Sequence, residues 1–359
     1  LRDIYGDFNI RINSEDYDLA IKQAGDFMLY FDSPNTNEIK ELIKAREIWD
    51  QFIEGNYKTA EPGIIFWSTM SDYSPSNYVD RPIICTNPCA EVPLEDGGAC
   101  NLGSINLSRF VEDGFTPQAS INWDQLAEST ETLVRFLDNV VTWNEDLNAL
   151  EKQRKAASET RRLGLGVMGI ADMLNQLGVA YDSEQGIIII EKVMEYITNA
   201  AYQASSFIAK EKDPSPIFDE KSYMECPFVQ EALSEQTHAM IKKNGLRNIA
   251  IMSIAPTGSI SNIVLGYKNK KKNYIGVSGG VEPIFSTFYT RRSESFGNKF
   301  FKVFHSTIQA YIDKMGLQKE VDKANDIDSV LPEYLTRTAH KVDSIKRVSI
   351  QGVIQRYID

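Results

Sequence analysis

Three of the four cysteines of this 359-residue chain fall between positions 85 and 100. They lie in Cys85-Thr86-Asn87-Pro88-Cys89-Ala90-Glu91 and in Cys100-Asn101-Leu102-Gly103-Ser104-Ile105-Asn106-Leu107-Ser108. An amide, a thiol and a carboxylate stand at alternate positions: Asn87, Cys89 and Glu91. In extended chain, alternate side chains point to one side, so all three could face one small substrate. Pro88 removes a backbone donor and fixes its own φ, which argues against a central sheet strand and for a loop or strand edge.

Other readings of these cysteines compete. A cysteine is often a small buried hydrophobe without a chemical role, but Cys, Glu and Asn in register beside a proline are harder to dismiss. Structural zinc needs four ligands at tighter spacing than C-x3-C-x10-C, and neither the fourth Cys nor any His lies nearby in sequence. A disulfide framework does not suit a long chain with four cysteines and no signal peptide, so reduced thiols are expected. A thiol protease needs a histidine base, and His238, His305 and His340 all lie far off in sequence.

A second constellation follows Asn248-Ile249-Ala250-Ile251-Met252-Ser253-Ile254-Ala255, which reads as a short apolar strand. It runs into Pro256-Thr257-Gly258-Ser259-Ile260-Ser261-Asn262-Ile263. A strand that stops at a Gly/Ser/Thr turn and opens a helix offers unpaired backbone N–H groups to an anion. The hydroxyls of Thr257, Ser259 and Ser261 add donors without charge. No G-K-[ST] follows, so this is not a Walker loop; on pattern alone a capped helix start is the favoured reading. Gly164, Gly166 and Gly169 mimic a dinucleotide fingerprint, but no clear strand precedes them, and close packing of backbone is the favoured reading.

The elements that must position these residues are read from periodicity. Helices are predicted over 14–31, 36–53, 122–144 with Asn122 as cap, 183–211, 227–244, 299–313 and 341–358. The second should bury Ile39, Leu42, Ile43, Trp49, Phe52 and Ile53 on one side. Ala60 to Trp67 reads as a turn into a short strand, residues 71–81 as polar turns, and Lys268 to Lys272 as a solvated basic loop. Cys226 reads as a buried or bystander thiol. Short strands alternating with longer helices indicate an α/β class. The composition, 42% hydrophobic and 25% charged, is that of an ordinary globular chain. A net charge of −12 argues against a bulk electrostatic grip on DNA or RNA. No apolar run is long enough for a membrane span and no targeting pattern opens the chain, so a cytoplasmic protein is expected.

The run N-P-C-A-E-V-P-L-E followed by C-N-L-G-S-I-N-L-S closely resembles the active-site segment of the ribonucleotide reductase catalytic subunit. The wording N-P-C-x-E-x-P-L resembles most the adenosylcobalamin-dependent class II. A-E-P-G-I at 60–64, R-R-L-G-L-G-V-M-G-I-A-D-M-L at 161–174, A-P-T-G-S-I-S at 255–261 and S-G-G-V-E-P-I-F at 278–285 are similar to further segments of that family. The resemblance covers nearly the whole chain but only the middle of a full reductase. It implies a partial ten-stranded α/β barrel of two antiparallel five-stranded parallel halves, with a central finger loop carrying Cys89. Residues 1–359 are then one domain, the central portion of that barrel, with the N-terminal effector region and the C-terminal end of the barrel lying outside it.

The resemblance also implies the chemistry: radical reduction of ribonucleotides to 2′-deoxyribonucleotides for DNA synthesis. Cys89 is expected to become a thiyl radical that abstracts the 3′-hydrogen, Glu91 to act as general base, and Asn87 to orient the substrate hydroxyl. Cys100 is expected to supply electrons with a thiol from outside this chain, the resulting disulfide being reset by thioredoxin or glutaredoxin. Thr257, Gly258, Ser259 and Ile260 are expected to bind the phosphates of a ribonucleoside di- or triphosphate. Adenosylcobalamin is the expected cofactor; no metal site, DNA binding or membrane association is expected. Turnover is expected to require a companion chain or segment. Two alternatives stand beside this reading: a class I catalytic subunit fed by a metal-radical partner, and a non-catalytic scaffold.

Overall fold

The computed structural model describes residues 29–31, 46–60, 63–269, 271–293 and 299–359. Strand β1 (Leu29–Phe31) pairs in parallel with β2 (Ile64–Phe66). The helix predicted over 14–31 is thus corrected at its end; residues 14–28 lie outside the described ones. Leu-Tyr-Phe also suits a strand, and a partner strand distant in sequence decides between the two. Of the second predicted helix, residues 36–45 lie outside the described ones. The rest is α1 (Arg46–Thr59), which continues past Ile53 and leaves that side chain exposed rather than buried. It ends at Ala60, whose φ of 61° is left-handed. A short helix α2 (Trp67–Tyr73) and a 3-10 turn (Pro75–Val79) occupy the stretch expected to be turns.

Strands β3 (Ile83–Thr86) and β4 (Pro93–Glu95) form an antiparallel hairpin, with Thr86 opposite Pro93 and Cys85 opposite Leu94. Strand β5 (Asn101–Asn106) follows, then a small hairpin of β6 (Val111–Glu112) and β7 (Ser120–Ile121). Helix α3 (Trp123–Asn144) begins where its cap predicts: the Asn122 Oδ1 accepts from the Gln125 N–H at 2.9 Å. Its inner stripe, Leu126, Val134, Leu137 and Val141, is buried. Each such side chain contributes roughly 1.5–3 kcal/mol relative to exposure.

After α4 (Glu151–Thr160), strand β8 (Leu163–Met168) runs through the centre of the core, buried at every residue. A strand buried on both faces reads as a continuous apolar run, as Leu-Gly-Leu-Gly-Val-Met does. β5 flanks it in parallel, from Asn101 opposite Leu163 to Asn106 opposite Met168. On its other side the extended chain at 250–253 adds a further parallel row: Leu163 N–H to Ala250 O, Leu165 N–H to Ile251 O, and Ser253 N–H to Leu165 O, at 2.8–2.9 Å. The expected strand at 248–255 is thus present as extended chain bridged at Met252. The glycines of β8 serve packing: a Cβ on Gly166 would collide with the Ser253 carbonyl oxygen.

Helix α5 (Ile170–Gln176) leaves the strand at Gly169, and α6 (Glu184–Lys212) packs along α3. The single helix expected over 227–244 is two, α7 (Pro227–Ala232) and α8 (Glu235–Asn244). Ser234 interrupts the run because its hydroxyl accepts from the Thr237 N–H and restarts the helix. β9 (Leu265–Lys268) and β10 (Asn273–Ile275) make a hairpin around the basic loop. β11 (Phe288–Ser293) pairs antiparallel with β12 (Lys299–Phe304). Residues 299–304 were expected to be helical; the antiparallel partner strand makes them extended, and a run rich in Phe and Val suits that pairing. Helices α9 (Ser306–Met315) and α10 (Ser344–Gln355) follow. The arrangement is α/β, with parallel pairs at the centre, but the described strands do not close into the expected barrel.

Candidate active site

The hairpin of β3 and β4 presents residues 87–92 as a tight loop. The Ala90 N–H donates to the Asn87 carbonyl at 2.9 Å, closing a turn around Pro88 and Cys89. Proline's fixed φ suits the first central position of such a turn. The Asn87 N–H donates to the Val92 carbonyl at 3.1 Å, and the Asn87 Oδ1 accepts from the Val92 N–H at 3.0 Å. The chain here is turned, not extended, so the alternation expected to align Asn87, Cys89 and Glu91 on one strand face does not apply. Asn87 uses its side-chain oxygen to hold the loop. Its Nδ2 hydrogens have no protein acceptor among the described residues.

Cys89 is exposed at the turn. Glu91 is half-buried, and its Oε2 is a buried atom without a hydrogen-bond partner among the described residues. Leaving a buried polar atom unpaired costs about 1–3 kcal/mol, so a donor arriving beside Cys89 would be well received. The Glu91 carbonyl accepts from the Ser253 hydroxyl at 2.8 Å. That bond fastens the loop to the strand that runs into the Thr257 turn.

Cys100 immediately precedes β5, half-buried, with its sulfur over Gly164: a Cβ there would sit 2.5 Å from Sγ. Burial pushes its thiol up to about 12, against the pull of Arg162 and with help from Asp359, Glu91 and Glu95. It is therefore a protonated thiol at neutral pH. Cys85 is exposed, its Sγ 3.9 Å from the Leu94 carbonyl, and Cys226 is wholly buried; all four thiols are free.

Beneath the loop lies a pair that the motif reading did not single out. Glu95, at the end of β4, accepts at Oε2 from Arg162 and at Oε1 from the Thr160 hydroxyl at 2.8 Å. Arg162 also donates to the Ser76 hydroxyl at 3.0 Å. Its neighbour Arg161 turns the other way, to Asp138 and Glu145. One arginine thus anchors the hairpin and the other anchors α3. The usable signal was the acid closing N-P-C-A-E-V-P-L-E, a charge in a run otherwise suited to burial.

The second constellation is a turn followed by a single 3-10 turn (Ile260–Asn262), not the longer helix expected. Thr257 is buried with a left-handed φ of 54°. Its hydroxyl accepts from the Gly280 N–H at 2.8 Å and its carbonyl from the Ser261 N–H at 3.0 Å. Gly258, Ser259 and Ile260 are exposed, and their N–H groups have no protein acceptor among the described residues. Three successive N–H groups without a protein acceptor are available to donate to an anion. Arg291 and Arg292 are exposed on β11. Among the described residues, no group of three or more His, Cys, Asp or Glu side chains is arranged to hold a metal ion.

The model of the ribonucleotide reductase barrel domain matches residues 14–359. A vitamin B12-dependent ribonucleoside-diphosphate reductase of Thermoplasma acidophilum is 34% identical over 99% of this chain and 43% of its own length. One of Mycobacterium tuberculosis H37Rv is 33% identical over 79% of this chain and 35% of its own length. The chain thus spans less than half the length of these relatives. The solved class Id ribonucleotide reductase alpha subunit of Actinobacillus ureae superposes with a TM-score of 0.66 at 21% identity, over 96% of this chain and 61% of that one. That likeness concerns the fold.

Proposed function

The chain belongs to the ribonucleotide reductase family through its barrel domain, and from that premise we propose that it carries the radical and phosphate-binding centre for reducing ribonucleotides to 2′-deoxyribonucleotides. The observation that carries this reading is the Ser253–Glu91 bond. It holds the turn with the exposed Cys89 against the strand that ends in the free N–H groups of 258–260.

Cys89, as a thiyl radical, takes the 3′-hydrogen of the ribose: an S–H bond forms and the C3′–H bond breaks. The unpaired Oε2 of Glu91 accepts the 3′-hydroxyl proton, and the free Nδ2 of Asn87 orients the neighbouring hydroxyl. The 2′-hydroxyl then leaves as water, taking its proton from a thiol. Cys100 and a second thiol provide two electrons and two protons, one proton leaving in the water and one going to C2′, and become a disulfide; the Cys89 S–H then returns its hydrogen to C3′ and Glu91 returns the proton to the 3′-oxygen. A Cys100 held as the neutral thiol has the hydrogen this step requires. A thioredoxin-like dithiol reverses the disulfide by exchange.

Adenosylcobalamin fits at one atom: Cys89 is exposed between Pro88, also exposed, and the small Ala90, so its sulfur is open to an external oxidant. When bound, that group supplies the one-electron oxidation of a thiol. The protein supplies placement and exclusion of water. The phosphates of a ribonucleoside di- or triphosphate lie on the N–H groups of Gly258, Ser259 and Ile260 beside the Thr257 backbone. The chain works as one domain of a ten-stranded barrel, in the cytoplasm, with a companion segment that provides the second thiol.

The test is product formation by the chain reconstituted with adenosylcobalamin, a dithiol and such a companion polypeptide. Deoxynucleotide forms with cysteine at position 89 and not with Cys89→Ser; product from the serine variant overturns the reading.

A further inference from the structure

Asp172 stands in the first turn of α5 with no exposed surface. A carboxylate there is costly unless its oxygens are satisfied. Its Oδ2 accepts from both the N–H and the hydroxyl of Ser278, each at 2.7 Å, and its Oδ1 accepts from the Thr307 hydroxyl. The nearest cationic candidate is His305, whose Nδ1 is 3.8 Å from Oδ1, beyond hydrogen-bond range. Ser278 is held at its other end too, since its carbonyl accepts from the Gly169 N–H at 2.8 Å. Every polar group of Ser278 is therefore fixed by α5 and its cap.

Two residues further on, the Gly280 N–H donates to the Thr257 hydroxyl. Gly279 lies so close that a Cβ on it would be 2.8 Å from the Pro256 carbonyl oxygen. The left-handed φ of Thr257, uncommon for a β-branched residue, is thus set against a segment that Asp172 immobilises. We propose that Asp172 is a positioning residue for phosphate recognition: through Ser278 and Gly280 it holds Thr257 in the conformation that turns the N–H groups of 258–260 outward. This rests on the phosphate-binding role proposed above for that turn.

The geometry sets the choice of variants. Asp172→Asn keeps an oxygen for both Ser278 bonds and gives Thr307 an amide donor in exchange. Asp172→Ala leaves Ser278 unheld. The experiment is calorimetric titration of the chain with a ribonucleoside diphosphate and with the unphosphorylated ribonucleoside, read as the ratio of the two dissociation constants. Losing about one to two hydrogen bonds' worth of ordering corresponds to a drop of about tenfold in that ratio. Asp172→Ala is expected to show this drop with nucleoside affinity unchanged, and Asp172→Asn to stay within about threefold of the parent.

If the parent chain binds diphosphate no better than nucleoside, the phosphate reading of 257–260 is itself wrong and the proposal goes with it. If the parent discriminates and folded Asp172→Ala discriminates equally, Asp172 only stabilises the fold and the proposal alone is overturned. Should Asp172→Ala not fold, Thr257→Val, which removes the acceptor of the Gly280 N–H and so cuts the last link, decides by the same ratio: a drop supports the relay and an unchanged ratio overturns it.

Discussion

Arg162 donates to one carboxylate oxygen of Glu95 from two of its nitrogens, at 3.1 Å and 2.8 Å, with both side chains 2% exposed. The pair joins the foot of the Cys89 hairpin to the start of the central strand. Burying two charges is favourable only when their remaining bonds are met, and Thr160 and Ser76 meet them here.

Breaking that pair should therefore cost far more than a surface ion pair. Arg162→Met leaves Glu95 buried and unpaired, and urea unfolding is expected to show a loss of about 3–5 kcal/mol. Arg162→Met with Glu95→Leu should recover most of it, because no isolated charge remains. A single variant as stable as the parent would show that the hairpin is held by other contacts.

Gly164 and Cys100 should behave as one unit. Alanine at 164 puts a methyl against the Cys100 sulfur and the Leu102 side chain, and overpacking of this kind costs roughly 1–3 kcal/mol. Gly164→Ala made together with Cys100→Ala should lose less than the two single changes added, with a coupling of about 0.5 kcal/mol or more. Strict additivity in denaturation midpoints would contradict the contact.

The cysteines should also separate by reactivity, since only thiolates are alkylated. Iodoacetamide at pH 8 is expected to label exposed Cys89 and Cys85 first and to leave Cys100 and Cys226 slow. Mass mapping against time checks the order. For stability the sign follows from the direction of the shift. Folding raises the Cys100 thiol from 9.0 to about 12, so the folded state keeps a proton that the unfolded chain releases. The stabilisation is complete below pH 9 and is lost as pH rises toward 12. Cys100→Ala should flatten the fall of stability over that window; an unchanged slope would contradict the burial assigned to the thiol.

Much of this was legible in the residues, for identifiable reasons. Asn122 announced α3 because a cap is a local device, and Pro88 announced a turn because its ring leaves few choices. The glycines of 164–166 read correctly as packing once a dinucleotide loop was set aside. What was not legible depended on partners distant in sequence. Leu29–Phe31 and Lys299–Phe304 became strands through pairing that no window shows. The strand-like alternation at Asn87, Cys89 and Glu91 was undone by a turn bonded across to Val92. Arg162 and Asp172 looked like ordinary charged residues until the fold placed them against Glu95 and Ser278.

The most direct test follows tritium rather than product. A ribonucleotide labelled at C3′ is incubated with the reconstituted protein, and tritium released to water is counted. Release is expected with Cys89 present. It should persist in Cys100→Ser, which loses deoxynucleotide formation but not hydrogen abstraction, and vanish in Cys89→Ser. Tritium released by Cys89→Ser at the parent rate would mean that another atom attacks the sugar and that the role given to this sulfur is wrong.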